Sequence, residues 1–375
     1  MSGARALGLG GALLLLIALD VVIARVNVFG LLLPPTQPTG FFTSVNYQLT
    51  AAVSALYGGP AAPRPVLFVG NSQLDTLIHP LRKMNAALIA AGAPAGTRTI
   101  SMCVFGTAPT DDEVLTRDLS AVHPGVVVFG ISGPDVGTTL ERARDMPVTA
   151  NLDVGWRDGL VPPIDLDARL DRWVRTVWRL YRYRRLLRDL VVPSDEPRTE
   201  PDLSEERTMA EVFASAMGAE PARKALALRP GFERAGSFAD ALPYLEALRG
   251  VEYVPGLRER WRTLRPQPLQ IEALRRAASH VRDAGGRPVW VLLPENPLLE
   301  LDPEVGSSVR QRSDEVTARL RAAASADAVP LVDLRRLLPP SGFSDLNHAF
   351  PLSPAEVMEP LAAALATRGL LAEKS

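Results

Sequence analysis

The sequence predicts an α/β protein built on a doubly wound, five-stranded parallel sheet, with a large helical insertion and an N-terminal transmembrane helix. Three observations predict the sheet. Five short apolar runs (Val66–Val69, Thr99–Val104, Val126–Phe129, Val289–Leu293 and Pro330–Leu334) largely lack the polar alternation of half-exposed strands. Such runs are the mark of parallel strands covered on both faces. Segments with helical spacing of apolar residues separate them, and the first three runs end in glycine turns at Gly70, Gly106 and Gly130.

Taken in order, the chain opens with an apolar stretch from Ala6 to Ala24, broken only by Asp20 and flanked by Arg5 and Arg25. Nineteen residues rise far enough to cross about 30 Å of hydrocarbon. A cleaved signal peptide is the rival reading, but no small-x-small cleavage site follows the run. An uncleaved anchor over residues 1–29 is therefore expected. Arg5 stays cytoplasmic and the bulk of the chain outside, because few basic residues follow Arg25 until Arg64. Residues 30–64, rich in Pro, Gly and Thr, read as a tether.

The sheet domain occupies 65–150 and 267–375. A helix is expected from about Pro80 to Ala91, with Leu81, Met84, Leu88 and Ala91 on one face. Further helices are expected near 110–122, 267–285, 307–326 and 354–367. The first of these carries Asp111, Asp112 and Glu113 in its opening turn, where acidic residues suit the helix dipole. Residues 151–266 interrupt the sheet between the third and fourth strands. Within them, 167–190 carries arginines around a stripe of Leu170, Trp173, Val177 and Tyr181. Two readings fit: a basic amphipathic helix on a membrane or anionic polymer, or an ordinary packed helix with a solvated arginine face.

Composition removes several function classes. With 41 Lys+Arg against 42 Asp+Glu, nothing points to nucleic acid. The single cysteine, Cys103, excludes an intrachain disulfide and a cysteine-built zinc site, and its apolar setting reads as a buried thiol. No metal or other cofactor is expected.

The chemistry gathers at Val69-Gly70-Asn71-Ser72. A serine at the carboxyl edge of a parallel strand lies where such sheets bind ligands, and the start of a helix favours negative charge developing beside it. The plain alternative is that Ser72 caps the following helix. A nucleophilic serine needs a base and an orienting carboxylate. The run Ser344-Asp345-Leu346-Asn347-His348 supplies both, with Asp345 and His348 three residues apart. Of the other histidines, His123 sits before the third strand, at the wrong edge. His280 falls on the polar side of a helix, and His79, just before Pro80, is the competitor.

These residues resemble the GDSL/SGNH hydrolase superfamily: a Gly-Asn-Ser turn after the first strand, glycine turns after the second and third, and Asp-x-x-His near the C-terminus. The resemblance covers the sheet domain, not the insertion. It implies Ser72 as nucleophile, His348 as base and Asp345 as its partner. The implied oxyanion hole is formed by the N–H groups of Ser72 and Gly106 together with Ser132, which stands where the family has asparagine. Asn71 likewise replaces the usual aspartate. The anchor and insertion resemble the branch that assists O-acylation of envelope polymers, of the alginate O-acetylation and D-alanyl-lipoteichoic-acid transfer type. For partners this implies an envelope polysaccharide or other hydroxyl acceptor and a membrane-bound O-acyltransferase. A plain esterase or deacetylase and a catalytically silent glycan-binding scaffold are the alternatives.

Overall fold

The computed structural model describes residues 64–144 apart from 80, 105, 118 and 120–122, then 218–349 and 354–371, together with 11, 14–22 and six isolated positions between 167 and 181. The tether lies outside the described residues but for Arg64, and the arginine-rich segment 167–190 but for those six. Of the expected anchor, residues 14–22 are helical with exposed apolar side chains such as Leu14, Leu15 and Ile17. No helix among the described residues is long and apolar enough to cross a membrane.

The elements run β1 (Val66–Gly70), α1 (Ser72–Ile78), α2 (Leu81–Ala90), β2 (Thr99–Cys103), α3 (Pro109–Leu115), β3 (Val126–Ile131), the single turn α4 (Gly133–Val136) and α5 (Leu140–Arg144). After the insertion's first part come α6 (Ala219–Glu233), α7 (Phe238–Arg249) and α8 (Tyr253–Thr263). Then follow α9 (Pro268–Asp283), β4 (Arg287–Leu292), α10 (Gly306–Ala326), β5 (Leu331–Asp333) and α11 (Pro354–Thr367). The strands form one sheet in the order β2-β1-β3-β4-β5, every pair parallel. The order reverses at β1, so the crevice beyond the carboxyl ends of β1 and β3 is where ligands bind in such sheets.

Strand alternation sorts the core into two layers. Val66, Phe68, Val126, Val128, Val289, Val291 and Val332 face Leu74 and Ile78 of α1, Met84 and Leu88 of α2 and Leu361 and Leu365 of α11. Leu67, Val69, Val127, Phe129, Ile131, Trp290 and Leu292 face the other layer, which includes Val114, Leu274, Val281 and Leu320. Helix α9 shows why such segments fold: Pro268 opens it without losing a bond, and Leu274, Ala277, Ala278 and Val281 recur on one buried side.

The helix expected from about Pro80 to Ala91 is α2, and a separate short helix, α1, starts at Ser72 itself. The helix expected over 110–122 ends at Leu115. Its acidic turn is buried: Asp111 accepts from the Ala108 N–H at 3.1 Å, and Glu113 pairs with Arg117 at 2.7 Å. The described part of the insertion joins the main core through Phe232, Phe238, Tyr244, Leu245, Leu257 and Trp261. Cys103 is a buried thiol, raised well above its ordinary range by burial and then by Asp75.

Candidate functional site

The carboxyl ends of the strands bring Ser72, His348 and Asp345 together. Ser72 is the first residue of α1, but it does not cap the helix. The cap is Asn71, whose Oδ1 accepts the Gln73 N–H at 2.9 Å. That leaves the half-buried Ser72 hydroxyl free to meet His348, with Oγ 3.0 Å from Nε2.

His348 is held by its own loop. The segment closes on itself through a bridge between Phe343 and Ala349 and a Ser344 N–H bond to the His348 carbonyl at 2.8 Å. Inside the turn, Asp345 is fully buried. Its Oδ1 accepts the N–H groups of Asn347 and His348 at 2.7 and 2.8 Å. Its Oδ2 lies 2.9 Å from His348 Nδ1. An ionised carboxylate can only accept, so Nδ1 carries the ring proton and Nε2 is left to accept from Ser72. Burial alone would raise Asp345, but His348, Arg249 and the Asn347 N–H outweigh it and hold the carboxyl far below the usual range.

Neighbouring elements brace this loop. Asn296, after β4, donates Nδ2 to the Asp345 carbonyl at 3.0 Å. Arg229 of α6 donates to the carbonyls of Phe343 and Ser341 at 2.6 and 3.0 Å, and Tyr244 of α7 donates to that of Ser344 at 2.6 Å. Arg249, the last residue of α7, reaches Asp345 Oδ2 through Nε at 2.8 Å and through Nη2 as well.

The residues expected in the oxyanion hole divide. Gly106 follows β2 at the same edge, exposed and at φ +71°, a backbone shape suited to glycine. The next residue, Thr107, ties that turn to the first one by donating to the Gly70 carbonyl at 3.2 Å. Ser132 is engaged elsewhere. Its hydroxyl donates to Asp135 Oδ2 at 2.5 Å and its N–H to the same oxygen at 3.2 Å. Asn71 Nδ2 donates to that oxygen too, at 2.6 Å. Asp135 is raised by burial, against the Ser132 bond that lowers it.

The competing histidines are placed apart. His79 ends α1 with Nδ1 2.9 Å from the Asp75 carbonyl, and His280 lies 3.1 Å from Glu113 Oε1. His123 precedes β3 at the opposite edge. Among the described residues no group of three or more His, Cys, Asp or Glu side chains could hold a metal ion.

Asp135, Asn296 and Arg249 went unassigned in the sequence. Ser132-Gly133-Pro134-Asp135 does carry a signal, a serine followed by proline and, three residues on, a carboxylate, the pattern of a helix start. Arg249 carries none, since its partner is 96 residues away.

The three side chains stand in the order hydroxyl, imidazole, carboxylate, a geometry through which a proton can leave the hydroxyl with the imidazolium supported by the carboxylate, as serine acyl chemistry requires. Compared with known proteins, the chain matches no family model, no curated protein and no solved structure.

Proposed function

We propose that this chain is a membrane-anchored, extracytoplasmic SGNH-like acyltransferase that O-acylates, most simply O-acetylates, a cell-envelope polysaccharide through an acyl-serine at Ser72. The observation that carries the enzymatic part is the 3.0 Å approach of Ser72 Oγ to His348 Nε2, with Nδ1 2.9 Å from Asp345. In this reading Ser72 Oγ attacks the acyl carbonyl while Nε2 takes its proton. The Ser72 and Gly106 N–H groups receive the oxyanion, and the leaving group departs with the proton from Nε2. A sugar hydroxyl then gives its proton to Nε2 and attacks the acyl-serine; the bond from Ser72 Oγ to the acyl carbon breaks and Nε2 returns the proton to Oγ, which restores the site.

The anchor and envelope location rest on the apolar run from Ala6 to Ala24 and its flanking arginines. The acyltransferase partner rests on resemblance. Plain hydrolysis is the second reading, in which water is the acceptor. The half-buried serine and His348, whose side chain is 22% exposed, leave a route for it.

The test is labelling by a serine-directed fluorophosphonate, followed by acceptor competition. Ser72 should take the label, and Ser72→Ala and His348→Ala should not, with unchanged circular dichroism. An acyl donor should then pass its acyl group to an oligosaccharide in preference to water. No label on a folded wild-type chain sinks both enzymatic readings in favour of the silent scaffold, and release to water alone leaves the esterase.

A further inference from the structure

We infer that Arg249, supplied by the inserted helices, is a positioning residue for His348: it fixes the Asp345 carboxylate toward the ring and sets how readily the imidazole takes a proton. The inference rests on the acyl-serine reading of the same site.

Two donors converge on one oxygen. Arg249 Nε lies 2.8 Å and His348 Nδ1 2.9 Å from Asp345 Oδ2, and Arg249 Nη2 is 3.2 Å from Nδ1. Nδ1 spends its proton on Asp345, so Nη2 and Nδ1 face each other as two donors. Only the carboxylate between them makes that approach acceptable. When the Ser72 proton reaches Nε2 the ring becomes a cation beside a permanent one. Arg249 thus does two opposing things: it orients the carboxylate that supports the imidazolium, and it disfavours the imidazolium by its own charge.

Among the described residues, the other ionisable groups facing this unit are few. Tyr244 on α7 and Tyr253 on α8 are phenols held protonated by burial, with Asp345 adding to the effect. Arg229 on α6 spends its guanidinium on loop carbonyls and Glu233. Ser72 on α1 and Asp345 on the same loop complete the set. Among the described residues, Arg249 is the permanent cation in contact with the ring. Its side chain is 42% exposed, so a change of charge there disturbs little packing.

The experiment compares full-length wild type, R249Q and R249K in two measurements. The first is the rate of Ser72 labelling by a fluorophosphonate against pH. In R249Q the acidic limb should move to higher pH by roughly one unit, because a cation beside the imidazole is gone. R249K should return the limb toward wild type while leaving the plateau below it, since an ammonium lacks the guanidinium's two-pronged grip. The second follows the His348 imidazole nitrogens by NMR across the same pH range, where the R249Q midpoint should rise by a similar amount.

A purely structural staple would lower stability or plateau and leave both limb and midpoint in place, and that result overturns the inference. If wild type takes no label at any pH, the acyl-serine reading fails. The imidazole titration still decides the role of Arg249: a raised midpoint supports it and an unmoved one overturns it. R249M replaces R249Q if the latter does not fold.

Discussion

Asn71 and Asp135 meet side chain to side chain, the Asn71 amide donating to a carboxylate oxygen 2.6 Å away across 64 residues of sequence. The same asparagine caps α1 with its side-chain oxygen, so the helix that carries Ser72 is pinned to the turn after β3 by one side chain. This gives a physical reason for asparagine where the resembling family has aspartate: a second carboxylate would face the first.

Asn71→Asp should therefore cost about 2–4 kcal/mol of stability at pH 7, as expected for unpaired like charges in a buried site. Most of that should return near pH 5, once one of the two carboxyls takes a proton. Asn71→Ala should cost about 2–3 kcal/mol at pH 7, through the lost cap and the lost donor to Asp135. Urea denaturation at the two pH values checks both. An aspartate variant as stable as wild type at pH 7 would contradict the account.

Ser132 turns its hydroxyl to Asp135, so it is not a free oxyanion donor. Losing a true oxyanion donor slows acyl transfer by about 100- to 1,000-fold. Ser132→Ala should instead leave Ser72 labelling within a few-fold of wild type and cost about 1 kcal/mol of stability. A hundredfold loss of rate in a folded variant would return Ser132 to the oxyanion hole.

Gly130 is where β3 passes beneath α1. A Cβ there would sit 2.7 Å from Leu74 Cβ and 2.8 Å from its Cδ2. Leu74 lies two residues past Ser72, so the clash displaces the helix that carries Ser72. Gly130→Ala should destabilise by about 1–3 kcal/mol, as overpacking does, and slow labelling more than the unfolded fraction explains. Labelling that falls only in proportion to unfolding would argue against it.

Asp112 and Asp345 should pull the pH dependence of stability in opposite directions. Burial, then Asp111 and Asp135, raises Asp112 well above the ordinary range, and its Oδ1 has no hydrogen-bond partner. Its contribution is present below the unfolded carboxyl value of about 3.9 and is lost as pH rises toward the folded one. Asp345 is lowered, so its contribution is present above that unfolded value and is lost as pH falls toward the folded one. Asp112→Asn should hence stabilise by about 1–2 kcal/mol near pH 7 and add little near pH 4. Asp345→Asn should flatten the loss of stability between about pH 5 and pH 2. Thermal melts across pH decide, and a destabilised Asp112→Asn at pH 7 would refute the first half.

The sheet was legible because parallel strands covered on both faces leave an unmistakable record, as in Val126-Val127-Val128-Phe129. The site was legible for a related reason: its glycine turns mark the carboxyl edge, and with only four histidines in the chain, placement by strand excluded most rivals. What stayed hidden were choices made between neighbours. Whether Asn71 or Ser72 caps α1 depends on what each side chain finds in space, here Asp135 and His348. Ser132 reads as a family position until its own helix start, ending in Asp135, is given weight. Arg249 is one basic residue among 41, and only tertiary packing selects it.

Ser72 comes from the end of the first strand and its partner His348 from a loop beyond the last, 276 residues later. During synthesis Ser72 is therefore made long before anything exists to activate it. On the acyl-serine proposal, every N-terminal fragment that stops short of His348 carries a serine without a base. Synthesis of that late loop and activation of the serine would in this sense be one event, set by the order of the strands alone.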